Sequence, residues 1–155
     1  MSRSQQGARR PYAVRRSSIH GRGVFAAGRI RKGSRVIEYR GERISEAEVE
    51  RRYGDEYEYS THTMLFWVGK NRYIDATRVG NSARWINHSC RPNCETVDDD
   101  GRIFIEAVRD IRPGEEITYD YNLFLDERHT PAAKRAHPCL CGSKRCRGTL
   151  LGKKR

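Results

Sequence analysis

The sequence predicts a mainly β fold of several small sheets with few short helices. Three observations predict it. Apolar residues come in short runs, some alternating with polar ones. Turn signals built on Gly, Pro and Asp recur along the chain. Only one segment carries a clear helix-start signal.

The elements follow in order. Residues 1–11 read as a flexible basic arm. Tyr12 to Ser17 reads as a short strand, and Ile19 to Ala26 as a Gly-rich turn opening into a strand. Arg31-Lys32-Gly33 is a turn, and Val36 to Tyr39 a strand ending near Gly41. Ser45-x-x-Glu48 is a capping box, so a short helix starts there and runs to about Gly54. Met64 to Val68 and Arg72 to Ile74 form a hairpin across Gly69-Lys70-Asn71. Asp98-Asp99-Asp100-Gly101 is a turn before the alternating strand Arg102 to Val108. Arg112-Pro113-Gly114 is another turn, and Ile117 to Tyr121 a last strand. Residues 12–125 thus read as one domain. Residues 126–138, with Pro131 and Pro138, read as a linker to a cysteine-rich tail, 139–155. No internal repeat is present.

A chain of 155 residues is long enough to bury a real core. No apolar stretch approaches the length that spans a bilayer, and the polar, Arg-rich start is no secretory signal. The net charge of +11 is unevenly placed. Residues 1–37 hold ten Lys/Arg and 128–155 hold nine, with no acids in either stretch. All 20 Asp and Glu fall in 38–127. Basic ends suit nucleic acid or another polyanion, while an acidic centre suits a Lys/Arg-rich partner.

Five cysteines are an odd number, and three of them crowd into Cys139-x-Cys141-x4-Cys146. Such clustering fits metal binding in a reducing compartment better than a disulfide scaffold. Structural zinc takes four ligands, so the rest of the chain must supply one. Cys90, Cys94, His88, His129 and His137 are all candidates, and His137 is the nearest along the chain. Lys144, Arg145 and Arg147 are placed to keep the thiols ionised.

The run Arg84-Trp85-Ile86-Asn87-His88-Ser89-Cys90-Arg91-Pro92-Asn93-Cys94 concentrates an amide, an imidazole, a hydroxyl and two thiols behind an apolar lead-in. Downstream lies Gly114-Glu115-Glu116-Ile117-Thr118-Tyr119-Asp120-Tyr121. With His20-Gly21-Arg22-Gly23-Val24-Phe25, Ile74-Asp75-Ala76-Thr77, Gly80-Asn81 and the cysteine cluster, these runs resemble, in order and spacing, the SET-domain protein lysine methyltransferases with a zinc-binding post-SET tail. The resemblance extends from about Ile19 to Gly148. It implies a knot-like crossing of the central and third motifs beside the active site. It implies a structural zinc held by Cys90, Cys139, Cys141 and Cys146, leaving Cys94 over. It implies S-adenosylmethionine bound by main-chain groups around Arg22 and Gly23 with His20 nearby, by Asn87 and His88, and under Leu140. Tyr121 matches the catalytic tyrosine. Tyr119 stands where the family carries Phe or Tyr, and a phenol there implies mainly mono- or dimethylation. One departure is Met64, with Phe66 and Trp67 close by, where the family often has a tyrosine; Tyr57 or Tyr59 is then expected to substitute.

The implied chemistry requires a neutral lysine amine, which costs roughly 4.6 kcal/mol at pH 7 for an ordinary lysine. A dry channel beside a cationic sulfur lowers that cost, so alignment matters more than a strong base. The implied partner is a lysine-containing basic protein such as a histone, with nucleic-acid contact through the basic ends and no membrane. The implied location is intracellular: cytoplasmic in a bacterium, nuclear or chromatin-bound where eukaryotic histones are the substrate. Two other readings compete: a SET-like module that grips a basic peptide without turnover, and a small zinc protein that uses its charged ends on nucleic acid.

Overall fold

The computed structural model describes residues 9–54, 64–125 and 128–153. Ten strands and two α-helices are formed there. They are β1 Tyr12–Arg16, β2 Arg22–Ala26, β3 Arg35–Tyr39, β4 Gly41–Ser45, α1 Glu46–Tyr53, β5 Leu65–Trp67, β6 Arg72–Gly80, β7 Asn87–His88, β8 Cys94–Asp99, β9 Arg102–Ala107, β10 Glu116–Tyr119 and α2 Pro131–Ala136. The strands make three small sheets, ordered β1-β2-β10-β7, β3-β9-β8 and β4-β6-β5.

Local chemistry accounts for most boundaries. Ser45 caps α1 through its side chain, which accepts from the Glu48 N–H, and Gly54 ends the helix. Between β8 and β9, Asp100 and Gly101 both take positive φ, as a tight two-residue hairpin turn requires. Strand β9 alternates buried and half-buried positions, with Ile103, Ile105 and Ala107 facing inward. Those residues join Val24, Ile37, Ile74, Ile86, Ile111 and Ile117 in one core shared by all three sheets.

Several elements depart from the sequence reading. Strand β6 runs on to Gly80 rather than stopping at Ile74, because β4 pairs along its other edge. The polar segments β4 and β8 are strands although their own composition hides it. Their partners β6 and β9 supply the register. Within 126–138, Pro131 starts a six-residue helix whose cap is Thr130, and His137 closes it.

The first sheet matters most for the site. Strands β10 and β7 pair in parallel, Thr118 with Asn87 and Tyr119 with His88. Asn93 staples the same two segments: its Nδ2 donates to the Glu116 carbonyl at 2.8 Å and its Oδ1 accepts from the Thr118 N–H at 2.9 Å. The central and third sequence motifs therefore lie side by side. The tail joins them through an isolated parallel bridge between Leu123 and Leu151.

Candidate active site and metal centre

Asn81 begins the approach to the site. Its side chain caps the 3₁₀ turn Ser82–Trp85 and donates to the Glu38 carbonyl, which aims the following residues at β10. Asn87 and His88 are then buried at the strand crossing. A cleft is lined by His20, Asn87, His88, Tyr121, Pro138 and Leu140, drawn from four separate stretches of chain.

The polar groups of this cleft are strongly constrained. Asn87 Nδ2 donates toward the carbonyls of His20 and Arg22, both at 3.0 Å, and toward Glu116 Oε1 at 2.9 Å. Three acceptors around one nitrogen decide the orientation of the amide, since the flipped form would set oxygen against oxygen. His88 Nδ1 accepts from the Tyr121 N–H at 2.9 Å, and Nε2 lies 3.4 Å from Cys90 Sγ. Both ring nitrogens are thus engaged inside the protein. Burial drives the His88 pKa down to about 4, with the Asp120 carboxylate only partly opposing it, so the ring is neutral.

Tyr121 donates its hydroxyl hydrogen to the Ile86 carbonyl. Its ring lies 5.1 Å from Tyr119 and 5.4 Å from His88. Burial raises both phenol pKa values, so both hydroxyls stay protonated at neutral pH. Tyr119 packs against Tyr121 and is not among the residues that line this cleft. The Arg22 guanidinium sits 5.4 Å from the Trp85 ring, and Gly23 faces Glu116. Leu140 is 58% exposed at the cleft rim, an apolar side chain free to cover a ligand. Met64 packs partly buried against the core, and its carbonyl accepts from Ala76 N–H; Tyr57 and Tyr59 lie outside the described residues.

Beside the cleft, Cys90, Cys139, Cys141 and Cys146 place their sulfurs within 4.8 Å of one another. Cys90 Sγ is 3.6 Å from Cys139 Sγ and 3.9 Å from Cys146 Sγ. A tetrahedral zinc with sulfurs at 2.3 Å needs sulfur–sulfur separations of about 3.8 Å. Main-chain N–H groups of Arg147 and Gly148 point at Cys90 and Cys146. Burial pushes the Cys90 and Cys139 thiols up. In Cys141, burial is outweighed by N–H and hydroxyl donors that bring it down to about 6. Thiols this crowded ionise together only around a cation, so the donor set fits a metal.

The other candidate ligands are used elsewhere. His137 is buried, and its ring and carbonyl serve α2 and the Thr149–Leu150 segment. His129 bonds Leu125 and Gly152. Cys94 is buried in the core, where desolvation pushes its thiol up to about 12. Arg147 keeps its charge within electrostatic reach of Cys90 and Cys139, and its main-chain N–H donates to Cys90 Sγ at 3.5 Å. Its guanidinium also grips Asp120 through two hydrogen bonds of 2.6 and 2.8 Å, and its Nε donates to the Thr149 and Leu151 carbonyls. That pair ties the tail to the residue next to Tyr121.

Residues 21–122 match the family described as the SET domain. The chain belongs to the SET-domain family. Relatives of this SET domain include "Histone-lysine N-methyltransferase, H3 lysine-4 specific" of Emericella nidulans, 42% identical over 92% of the chain and 12% of the relative. "Histone-lysine N-methyltransferase trithorax" of Drosophila virilis is 45% identical over 88% of the chain and 4% of the relative. "Histone-lysine N-methyltransferase SETD1B" of Homo sapiens is 42% identical over 87% of the chain and 7% of the relative. The SET domain therefore spans only a small part of the length of these relatives. No helix among the described residues is long and apolar enough to cross a membrane.

No role for Ser17, Glu116 or Asp120 was legible in the sequence. Glu116 and Asp120 lay inside a quoted motif, but nothing in the linear pattern said which groups they meet.

Proposed function

We propose that this SET domain is an S-adenosylmethionine-dependent protein-lysine methyltransferase acting on a histone, with histone H3 the substrate that the names of its relatives support. The observation that carries the reading is the convergence of His20, Asn87, His88, Tyr121 and Leu140 on one cleft beside four clustered cysteines.

S-adenosylmethionine, when bound, supplies a methyl group on a positively charged sulfur. The residues present fit it. Nδ2 of Asn87 is spent on three acceptors, while among the described residues no donor reaches Oδ1, which remains as an acceptor for an amine. His88, with both ring nitrogens occupied, offers its main chain and ring face to an adenine, and Leu140 offers an apolar cover. Main-chain groups around Arg22 and Gly23, with His20, complete the wall for the methionine half.

Tyr121 has given its hydrogen to Ile86, so its oxygen can only accept, and its protonated state excludes it as a base. It acts by holding the lysine amine and the methyl in line. Tyr119, 5.1 Å away, crowds the amine side and restricts the product mainly to mono- or dimethyl-lysine. Zinc on Cys90, Cys139, Cys141 and Cys146 holds the tail against the cleft. Residues 139–155 thus serve as the post-SET segment, and the basic ends serve contact with nucleic acid in chromatin.

The deciding test is transfer of labelled methyl from S-adenosylmethionine to a panel of core histones, with the modified lysine mapped by mass spectrometry. Cofactor binding without transfer to any histone would favour a binding module instead.

A further inference from the structure

The site contains a carboxylate that the methyl-transfer reading leaves without a task. Glu116 opens β10, with its carboxyl lodged where a side chain on Gly23 would be: a Cβ there would fall 2.1 Å from Oε1. Ser17 Oγ donates to Oε1 at 2.7 Å and lies 2.9 Å from Oε2, while the same Oγ accepts from the Ile19 N–H at 3.0 Å. Asn87 Nδ2 reaches Oε1 at 2.9 Å. One carboxylate therefore joins the turn before β2, the strand β2 itself and the strand crossing.

We propose that Glu116 is the positioning residue for the amino-acid end of the cofactor pocket. It anchors the 17–22 turn through Ser17 and, with the His20 and Arg22 carbonyls, holds the Asn87 amide so that Oδ1 faces the cleft. Charged acceptors make the stronger hydrogen bonds, which suits a group that must fix two segments at once. The absence of a side chain on Gly23 makes room for this carboxylate, so that glycine acts on the ligand through Glu116 as well as through its own main chain. The inference rests on the cleft being the cofactor site.

Its test is ligand discrimination measured by calorimetry, with no turnover needed. S-adenosylhomocysteine carries the amino-acid end; 5′-methylthioadenosine keeps the adenosine and lacks that end. Glu116→Ala should weaken S-adenosylhomocysteine by about tenfold or more while leaving 5′-methylthioadenosine within about twofold. Gly23→Ala, which evicts the carboxylate without removing it, should show the same selective loss. Glu116→Gln keeps an oxygen for Ser17 and Asn87 and should recover most of the affinity. Equal losses on both ligands, no loss in either alanine variant, or failure of Glu116→Gln to recover overturns the proposal. Failure of the unaltered protein to bind either ligand overturns the cofactor-site reading itself.

Discussion

At Tyr121 a single hydroxyl meets two demands. It satisfies the Ile86 carbonyl, and its residue lines the cleft where the proposed reaction takes place. Tyr121→Phe should therefore cost only about 1 kcal/mol of stability, the worth of one hydrogen bond, while methyl transfer falls by about a hundredfold or more. Unchanged transfer would mean that Tyr121 has no catalytic role. Tyr119→Phe removes a buried hydroxyl from the amine side and should shift products toward di- and trimethyl-lysine, read by mass spectrometry. Abundant trimethyl-lysine from the unaltered protein would refute the assigned role. The two non-equivalent cysteines of the central run make a matched pair. Cys90→Ser should lower zinc content and transfer together, because Cys90 alone brings a sulfur from outside the tail. Cys94→Ser should spare zinc and transfer and lose about 1–3 kcal/mol of stability, since it sets a hydroxyl in an apolar core.

Among the elements, α1 shows how packing and polar contacts divide the task. Its start is written in Ser45 and Glu48, and among its described residues only Val49 is buried. What holds its far end is Arg52, which reaches Glu42, Glu48 and the buried Asp75; Tyr53 also donates to Asp75 at 2.7 Å. Burial opposes the Asp75 charge, but the Thr77 N–H, the Tyr53 hydroxyl and Arg52 outweigh it and hold the carboxyl below its ordinary value. A depressed folded-state pKa means that this stability is present above the ordinary carboxylate pKa of about 3.9 and is lost as the pH falls through the lower folded value. Thermal melts should show Asp75→Asn destabilised by about 1–3 kcal/mol at pH 7, with the gap from the unaltered protein closing in acid. A constant gap down to the lowest pH at which both fold would exclude the linkage. The capping box made α1 legible in the sequence. Strands β4 and β8 were not legible, because Gly41-Glu42-Arg43 and Glu95 to Asp99 are polar and take their register from neighbours. The helix α2 was hidden by Pro131, which reads as a breaker but sits at the position where its missing N–H costs nothing.

Across the whole molecule, the described tail is held to the domain by the sulfur cluster, the Arg147–Asp120 pair and the backbone bridge between Leu123 and Leu151. A metal bound at the sulfur cluster should dominate, because it joins Cys90 of the domain to three sulfurs of the tail at one point. Chelation is expected to remove zinc, lower the melting temperature and stop methyl transfer together, with zinc restoring all three. Full transfer by metal-free protein would detach the tail from function.

The sequence by itself determined the mainly β class, the order of the motifs and the residue types that carry chemistry, since turn residues and apolar patterning act over a few positions. Only the tertiary structure decided what each group faces. Ser17 and Glu116 are 99 positions apart, and Asn87 and His20 are 67 apart, yet each pair shares a hydrogen bond. Burial patterns record which side of a strand is dry; they hold no trace of a partner brought close by chain crossing. For the same reason no linear pattern shows that the Arg147 guanidinium, whose charge reaches Cys90 and Cys139, also grips Asp120, where a carboxylate offers it two acceptors at once.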